Sequence, residues 1–494
     1  MDLIFLAIGF ILIWVTILFT HYLLVSCYVH PYLNLSKLIG LKIKPFYFGI
    51  YWNRFHHGIV HFTRNYSQPI KLWTNFGVLA SFFLIPISIC ILIQTIFNLV
   101  SFNKTNSPND FGSLEPFLPG VNLPLDEIFY YVTALLISSV LHEFGHFIAA
   151  IREGVKVNGV GLSIFAILPI AYVDISEDQL RKISIGGRLR IFCAGVWHNL
   201  ILGLITAILL LANPGLLYPL YSTGNGVVVL NTQTNWETTG IHGIQSSDLI
   251  TSINRNCFIT NKDDWKYCFR QLINNPDEGY CIPDSFVTKE HLKPEKKGVC
   301  CDETMKRHLC FDSLIDQRQL CLPARQILER YQTNCNETVD CLMGHSCIRP
   351  RSENDGFRLI ELQRNDKPSF LFWGHPYEIY LSLSVINYKP RFNFLPLSLI
   401  QRWETLLRYV TSFSLALALL NSVPCFVMDG KYIAKSLLEL LFRRFSTKKS
   451  LKLVNSILST FGSILVCCCV FFGFVKIIFR QQNLSNNFFF NWST

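Results

Sequence analysis

The segment LHEFGHFIAA, residues 141–150, places two histidines and a glutamate inside a run of mostly apolar residues. The run extends from Ile128 to Ile151, which is long enough for a helix to cross the roughly 30 Å hydrocarbon core of a bilayer. Ionisable side chains at that depth are unfavourable unless they are paired or serve a function. The segment therefore predicts a membrane helix that carries a chemical site.

His142 and His146 are four residues apart, so they share one face of this helix and can bind one Zn²⁺ together. Glu143 lies beside them, where it can act as a general base toward water. The structural alternative is a pair of histidines hydrogen-bonded between membrane helices. The pattern favours zinc catalysis, with His142 and His146 as metal ligands and Glu143 as the catalytic residue.

A catalytic zinc normally has three protein ligands, so one is still needed. The segment NSVPCFVMDG, residues 421–430, ends a later apolar run, and Asp429 is expected on the same side of the membrane as His142. Pro424 breaks a helix and Gly430 permits a tight turn, so irregular backbone can present the carboxylate to a cavity. The alternative is a carboxylate that caps a helix over residues 430–442.

The composition predicts a polytopic α-helical membrane protein with about six transmembrane helices. The chain has 494 residues, of which 50% are hydrophobic and only 16% are charged, compared with about 25% charged in soluble domains. The net charge of +10 is dispersed among apolar segments, so it indicates membrane orientation and no nucleic-acid partner. The expected spans are Leu3–Ser26, Phe76–Val100, Ile128–Ile151, Ile191–Ala212, Tyr409–Met428 and Leu453–Val475.

Loop charges predict the orientation of these spans. Residues 27–75 contain lysine and arginine but no acidic residue, and residues 430–452 contain basic residues with Glu439 as the one acid. Both loops are therefore expected in the cytosol. With six crossings, the loop between the fourth and fifth spans and both termini are lumenal, and the zinc site faces the cytosolic side within the membrane.

Cysteines support the same sidedness. Ten of the 17 cysteines fall between Cys257 and Cys347, a dense and even set that indicates disulfides in an oxidising compartment. Zinc binding by these cysteines is the competing interpretation, but the stretch contains no C-x-x-C pair. The sequons at Asn336 and Asn103 are glycosylation candidates in the two lumenal loops.

Short β-branched runs between turn residues in 224–269 predict a small β-rich module, and residues 357–385 return to a similar pattern. The cysteine-rich stretch is therefore interpreted as an insertion in that module. The expected domains are 1–100 with two spans and a basic loop, 128–212 as the catalytic core, 215–276 with 355–385 as the module, 277–350 as the insertion, and 402–480 as the C-terminal core.

Together these motifs resemble the site-2 protease family of intramembrane zinc metalloproteases. The likeness rests on HEFGH at 142–146, YVDI at 172–175, LRIFCAGVWHN at 189–199 and NSVPCFVMDG at 421–430. Two departures stand out: Met428 replaces the usual leucine before Asp-Gly, and Ile170 occupies the middle of a Pro-Gly-Ala motif. The first conserves apolar character, and the second affects the backbone near the site rather than the ligands.

The resemblance implies one zinc ion per chain, held by His142, His146 and Asp429, with Glu143 as general base. It implies a PDZ-like lumenal module and a membrane-dipping hairpin at Val157–Ile175. Asn199 matches the family's intramembrane asparagine, and an oxyanion or substrate contact and a helix-packing hydrogen bond are both open. The implied substrates are membrane-tethered transcription factors of sterol and unfolded-protein responses, already cut in the lumen of the Golgi or endoplasmic reticulum.

Two other functional classes fit parts of the sequence. An intramembrane zinc transporter or binding protein would also place histidine and aspartate in spans, but transporters often have internal repeats, and inspection of the sequence reveals none. An inactive relative that binds helices without cutting them would not need Glu143. The intact set of His142, Glu143, His146 and Asp429 favours an endopeptidase.

Overall fold

A computed structural model describes residues 2–53, 56–100, 127–166, 168–232, 243–274, 279–292, 301, 308–316, 318–331, 333–351, 356–392, 394–442 and 447–490. The chain divides into two compact units. The first unit contains Met1–Leu211 and Glu404–Thr494, and the second contains Ala212–Trp403. Asn103 and Cys300 lie outside the described residues.

The first unit is mainly helical. Its helices are α1 Asp2–Ser26, α2 His30–Leu38, α3 His56–Asn65, α4 Ser67–Val100, α5 Ile128–Arg152, α6 Glu177–Lys182, α7 Ile185–Leu216, α12 Leu397–Ser422, α13 Gly430–Phe442 and α14 Lys448–Phe490, with α7 and α12 leading into and out of the second unit. Among the described residues, five helices are long and apolar enough to cross a membrane: α1, α4, α5, α7 and α14. The prediction of a polytopic membrane protein is confirmed.

The sixth predicted span, Tyr409–Met428, is not among those five. Helix α12 ends at Ser422, two residues before Pro424, because proline disfavours helical backbone in the residue that precedes it. Polar residues in α12, such as Arg408 and Thr411, also lower the mean hydropathy of this helix. The chain then makes an irregular turn before α13 begins at Gly430. A Cβ at Gly430 would lie 2.0 Å from the carbonyl oxygen of Val423, so this close approach requires glycine.

A four-stranded antiparallel sheet accompanies the helices of the first unit. Its strands are β1 Lys42–Lys44, β2 Tyr47–Trp52, β3 Val157–Phe165 and β4 Leu168–Ile175, in that spatial order. The β3–β4 hairpin covers the predicted Val157–Ile175 hairpin, and β2 pairs with β3 over six residues, from Tyr47 opposite Phe165 to Trp52 opposite Val160. Hydropathy indicated only spans and a loop in the N-terminal segment. Strands β1 and β2 of that segment nevertheless extend the hairpin into a four-stranded sheet.

The second unit is rich in β-strands, as predicted. Its elements are β5 Tyr221–Ser222, β6 Val227–Thr232, β7 Leu249–Ile253, β8 Cys257–Phe258, α8 Lys262–Asn274, β9 Gly279–Pro283, α9 Asp284–Glu290, β10 His308–Ser313, β11 Gln319–Pro323, α10 Ala324–Arg330, β12 Asn334–Cys335, β13 His345–Pro350, β14 Arg358–Arg364, β15 Phe370–Gly374, α11 Pro376–Ser382, β16 Leu383–Ile386 and β17 Lys389–Pro390. A six-stranded sheet combines strands from 227–258 and 358–386, and a five-stranded sheet uses only strands from 279–350. The unit contains one apolar core centred on Ile250 and Ile360 and another centred on Phe311 and Ile348, and the second core also includes Leu359 of β14.

The predicted disulfides are present. The described pairs are Cys257–Cys268, Cys281–Cys341, Cys301–Cys321 and Cys335–Cys347, and Cys310 is also disulfide-bonded. The free cysteines among the described residues, Cys27, Cys90, Cys193, Cys425, Cys467, Cys468 and Cys469, all belong to the first unit. The described cysteines in 257–347 therefore form a disulfide framework rather than a zinc site.

The five-stranded sheet contains an internal repeat that inspection of the sequence did not reveal. Strand β9 and helix α9, GYCIP-DSFVTKE, correspond to β11 and α10, QLCLP-ARQILER. The equivalent pairs Cys281 and Cys321, and Pro283 and Pro323, are each 40 residues apart. Two disulfides connect the copies, Cys281–Cys341 and Cys301–Cys321. Each joins the strand of one copy to a cysteine that follows the helix of the other copy. Cysteine and proline are nearly the only shared identities, which is why the repeat was missed.

A buried ion cluster stabilises the six-stranded sheet. Asp248 Oδ2 accepts a hydrogen bond from Arg364 Nη1 at 2.9 Å, and Asp248 Oδ1 accepts one from Lys367 Nζ at 2.6 Å. The side chains of Arg364 and Asp248 are only 1% and 3% exposed. Burial alone would raise the pKa of Asp248, but hydrogen bonds from Lys367, from the Gln245 backbone and from Arg364 outweigh it and lower the pKa. The resulting stabilisation is complete above the ordinary pKa of 3.8 and is lost as the pH falls through the lower folded-state pKa.

Asp248→Asn is expected to destabilise the second unit by about 3–5 kcal/mol, because it leaves the Arg364 guanidinium buried without its counter-charge. The urea concentration at which this unit becomes protease-sensitive in the full-length protein measures the change. Asp366→Asn is the matched control, since that side chain is 77% exposed and lies 4.0 Å from Lys389. Equal midpoints for the Asp248 and Asp366 variants would contradict the assignment.

Candidate metal centre

Helix α5 presents His142 and His146 to the interior of the first unit. Both residues are only 7% exposed, and their Nε2 atoms are 3.1 Å apart. His146 Nδ1 lies 2.8 Å from the carbonyl oxygen of Ile191 on α7. A carbonyl can only accept a hydrogen bond, so it fixes the proton of His146 on Nδ1 and leaves Nε2 with a free lone pair.

Asp429 completes a three-ligand cluster with the histidines. Its Oδ2 lies 2.9 Å from His142 Nε2 and 3.0 Å from His146 Nε2. The turn between α12 and α13 brings the residue there, and Gly430 allows that turn to fold tightly. The Asp429 backbone carbonyl accepts from Tyr432 and Ile433 in the first turn of α13, while the carboxylate points at the histidines. Its position is that of a ligand candidate rather than of a side-chain helix cap.

The cluster fits a zinc ion. Ligands of a tetrahedral zinc at about 2.0–2.1 Å are separated from one another by about 3.3 Å, and the three distances here are a few tenths of an ångström shorter. Two imidazole nitrogens and one carboxylate oxygen are also a donor set that zinc takes in catalytic sites. One other group of close ligand atoms occurs among the described residues, Cys281, Cys335 and Cys341, but these cysteines are disulfide-bonded.

Helix α7 shapes the space around the two imidazoles. A Cβ at Gly195 would lie 2.4 Å from His146 Nε2 and 2.7 Å from His142 Nε2. Any larger residue would therefore occupy the position of the ligand rings. Gly195 is a site residue that the sequence analysis missed, since nothing in its local sequence indicates which side chains it faces.

The side chain of Glu143 lies between α5 and the four-stranded sheet. Its Oε2 accepts a hydrogen bond from the Val173 backbone N–H of β4 at 3.1 Å, and Ser139 Oγ accepts one from the Ala171 N–H at 3.0 Å. The spacings match, because four helical residues rise about 6 Å and two strand residues rise about 6.6 Å. Strand β4 thus holds the Glu143 carboxylate beside the histidines.

Asn199 is fully buried on α7, one helical turn beyond Gly195. Its side-chain nitrogen is 3.2 Å from His142 Nδ1, and its Oδ1 has no hydrogen-bond partner. With the amide group turned by about 180°, Oδ1 accepts the His142 Nδ1–H. Asn199 therefore contacts a ligand candidate directly. The adjacent His198 is directed elsewhere, with Nδ1 2.7 Å from the Ala194 carbonyl oxygen.

An ion pair links α5 and α7 beyond the histidines. Glu153 accepts from Arg190 Nε at 2.8 Å and from Arg190 Nη2 at 3.0 Å, and it also contacts Arg152. Burial alone would raise the pKa of Glu153, but hydrogen bonds from Arg190 and Arg152 outweigh it and lower the pKa. The bidentate contact fixes the spacing of the two helices that carry His142, His146 and Gly195.

The fold and the site together define a class: a polytopic membrane protein whose helices gather a metallohydrolase-type set of two histidines, an aspartate and a glutamate. Residues 130–465 match the model of Peptidase family M50, and the chain belongs to that family. It is 26% identical over 440 residues to the membrane-bound transcription factor site-2 protease homolog of Arabidopsis thaliana, covering 78% of this chain and 84% of the relative. The resemblance to site-2 proteases is thus confirmed, and the family supports a metalloprotease.

Proposed function

We propose that this protein is a zinc endopeptidase that cuts a peptide bond within the membrane segment of its substrates. The observation that carries the proposal is the convergence of His142 and His146 on α5 with Asp429 from the turn before α13, which lies 287 residues from His142 in sequence. Glu143 is adjacent to His142 on α5. A zinc ion held by these three ligands would supply Lewis acidity, which polarises a peptide carbonyl and makes water easier to deprotonate.

Glu143 is the proposed general base. One carboxylate oxygen is held by the Val173 N–H, which leaves the other free to take the proton of the attacking water. The same carboxyl group then delivers that proton to the leaving amine. A substrate helix shields its carbonyls in backbone hydrogen bonds, so it must unwind locally before a peptide bond reaches this carboxylate.

Asn199 is proposed as a positioning residue that orients His142. Asn199→Leu is expected to weaken zinc affinity about 10- to 100-fold, as is typical when a partner of a metal-ligating histidine is lost. Asn199→Asp is expected to retain or raise the affinity, because a carboxylate is the stronger acceptor for Nδ1–H. Competition with a chelating dye measures both variants.

Thr206→Val is the matched control for Asn199→Leu, since it removes another buried polar group from α7, two turns further along. Unchanged zinc affinity in Asn199→Leu with a lowered turnover number would contradict the positioning role and favour contact with the substrate oxyanion instead.

The proposed substrates are membrane-tethered transcription factors, as the name of the Arabidopsis thaliana relative suggests. By family resemblance these belong to sterol and unfolded-protein responses and are already cut in the lumen of the Golgi or endoplasmic reticulum. The proposed orientation has the metal site toward the cytosol and is supported by the loop charges. The disulfides and the exposed Asn336 support a lumenal location of the second unit. In this proposal the second unit is PDZ-like and excludes uncut substrates by size.

The test is cleavage of a tethered single-helix reporter by purified full-length protein in lipid vesicles. The proposal expects a product whose mass places the cut inside the apolar segment, loss of cleavage on chelation, and recovery when zinc is restored. Zinc uptake into vesicles without any cleavage would instead support the alternative of a zinc transporter. A cut only in the soluble part of the reporter would also contradict the proposal.

A further inference from the structure

A cavity of about 270 Å³ lies beside Glu143 in the first unit. Helix α5 contributes one wall, and strands β2, β3 and β4 of the four-stranded sheet contribute the other, together with Ile59 of α3. The lining residues are Trp52, Ile59, Val140, Glu143, Phe144, Phe147, Val160, Gly161, Leu162, Ala171, Tyr172 and Val173. Neither His142, His146 nor Asp429 lines it, so the cavity is distinct from the metal-ligand cluster but shares the proposed general base.

The lining determines what can enter. Glu143 is the one charged side chain among these lining residues, and most of the others are aliphatic or aromatic. A polar group in such a space would lose its hydration without gaining partners, so the occupant must be apolar. The volume is below the roughly 300–1,000 Å³ typical of pockets for whole small molecules, which suits one side chain.

The mouth of the cavity is apolar as well. Val140 and Phe144 are 44% and 42% exposed, while Phe147, one turn beyond Phe144 on the same helix face, is 3% exposed. The open end of the cavity therefore lies between the exposed side chains of Val140 and Phe144, and buried Phe147 lies at its closed end. An apolar side chain that arrives from the bilayer can enter without crossing a polar surface.

We propose that this cavity receives a large apolar side chain of the substrate, at one of the two positions that flank the cleaved bond. The inference rests on the proposed endopeptidase function and specifies its selectivity. Because Glu143 both lines the cavity and lies beside the histidines, a side chain lodged there brings its own peptide bond to the general base. An acyl chain of a lipid would fit the same space, but it carries no peptide bond on which the general base could act.

Ala171→Phe tests the proposal by filling the cavity from β4. Ala171 is 8% exposed and lines the cavity, and the substitution keeps its backbone N–H bond to Ser139. Ile170→Phe is the matched control: the adjacent residue on the strand is 45% exposed, does not line the cavity, and gains the same ring. Ala171→Val replaces the test variant if the phenylalanine variant does not accumulate in folded form.

The measurement uses tethered reporters with leucine or alanine at the residue before or after the cut bond, which is first located by mass spectrometry. Wild-type protein is expected to prefer leucine over alanine by about 10- to 200-fold in kcat/KM at one of these positions. Ala171→Phe is expected to abolish or invert that preference with zinc content unchanged, while Ile170→Phe keeps it.

An unchanged leucine preference in Ala171→Phe, or no preference at either position in the wild type, would overturn the pocket but leave the endopeptidase intact. Failure of the wild type to cut any reporter would overturn the proposed function and the pocket together.

Discussion

Replacing Glu143 with glutamine is expected to lower reporter cleavage by about 10²- to 10⁴-fold while one zinc per chain is retained. The amide oxygen can still accept the Val173 N–H, so the side chain stays between α5 and β4. An amide cannot take a proton from water, however, and the three ligand candidates are untouched. Glutamine thus removes the base and nothing else.

The measurement pairs metal analysis with the turnover of the tethered reporter in the same preparations. Glu127→Gln is the matched control. Glu127 immediately precedes the first residue of α5, far along the helix from the histidines, and its carboxylate contacts Tyr409. Cleavage by Glu143→Gln at close to the wild-type rate would remove Glu143 from the mechanism.

Gly195→Ala is the second substitution with a large expected effect, although glycine has no side chain to take part in chemistry. The added methyl would lie 2.4 Å from His146 Nε2 and 2.7 Å from His142 Nε2, far inside van der Waals contact. The rings must then move away from Asp429. Zinc affinity is expected to fall by more than the roughly 10- to 100-fold typical of supporting residues, and cleavage should be lost with it.

Gly186→Ala on the same helix is the matched control, because its added methyl would come no closer than 3.6 Å to Arg190, an ordinary contact. Zinc titration of both variants gives the comparison. If Gly195→Ala binds zinc as tightly as Gly186→Ala, then α7 does not shape the metal site.

The sequence was most informative where a short motif fixes its own geometry. A separation of four residues between His142 and His146 ensures a shared helix face in any α-helix, and Glu143 follows from its place beside them. Asp429 could be proposed because Pro424 and Gly430 predict a helix end and a tight turn. In each case the necessary information lies within about ten residues of chain.

Features that depend on contacts between distant segments were missed. Pairing of β2 with β3 joins residues more than 100 positions apart, and hydropathy does not indicate it. Gly195 looks like any small residue in a membrane helix until the histidine rings are placed against it. The partner of Asn199 was likewise undetermined, because an asparagine in a span can face a ligand, a substrate or another helix.

The internal repeat of the cysteine-rich sheet was missed for a different reason. A strand, a proline and a seven-residue helix can be built from many apolar and polar residues, so the two copies retain little beyond Cys281 and Cys321 with the prolines that follow them. These two cysteines stand out because each forms a disulfide with a cysteine of the other copy, Cys281 with Cys341 and Cys321 with Cys301. The pairing itself could not be read from spacing alone.

The most direct test of the central claim is the X-ray absorption spectrum at the zinc edge of purified, cleavage-competent protein. The proposed site predicts one zinc per chain, nitrogen and oxygen ligands at about 2.0–2.2 Å, an imidazole signature, and no sulfur. His142→Ala should remove this signal. A sulfur shell at about 2.3 Å, or an unchanged spectrum in His142→Ala, would place the metal elsewhere in a chain that has 17 cysteines and would contradict the account.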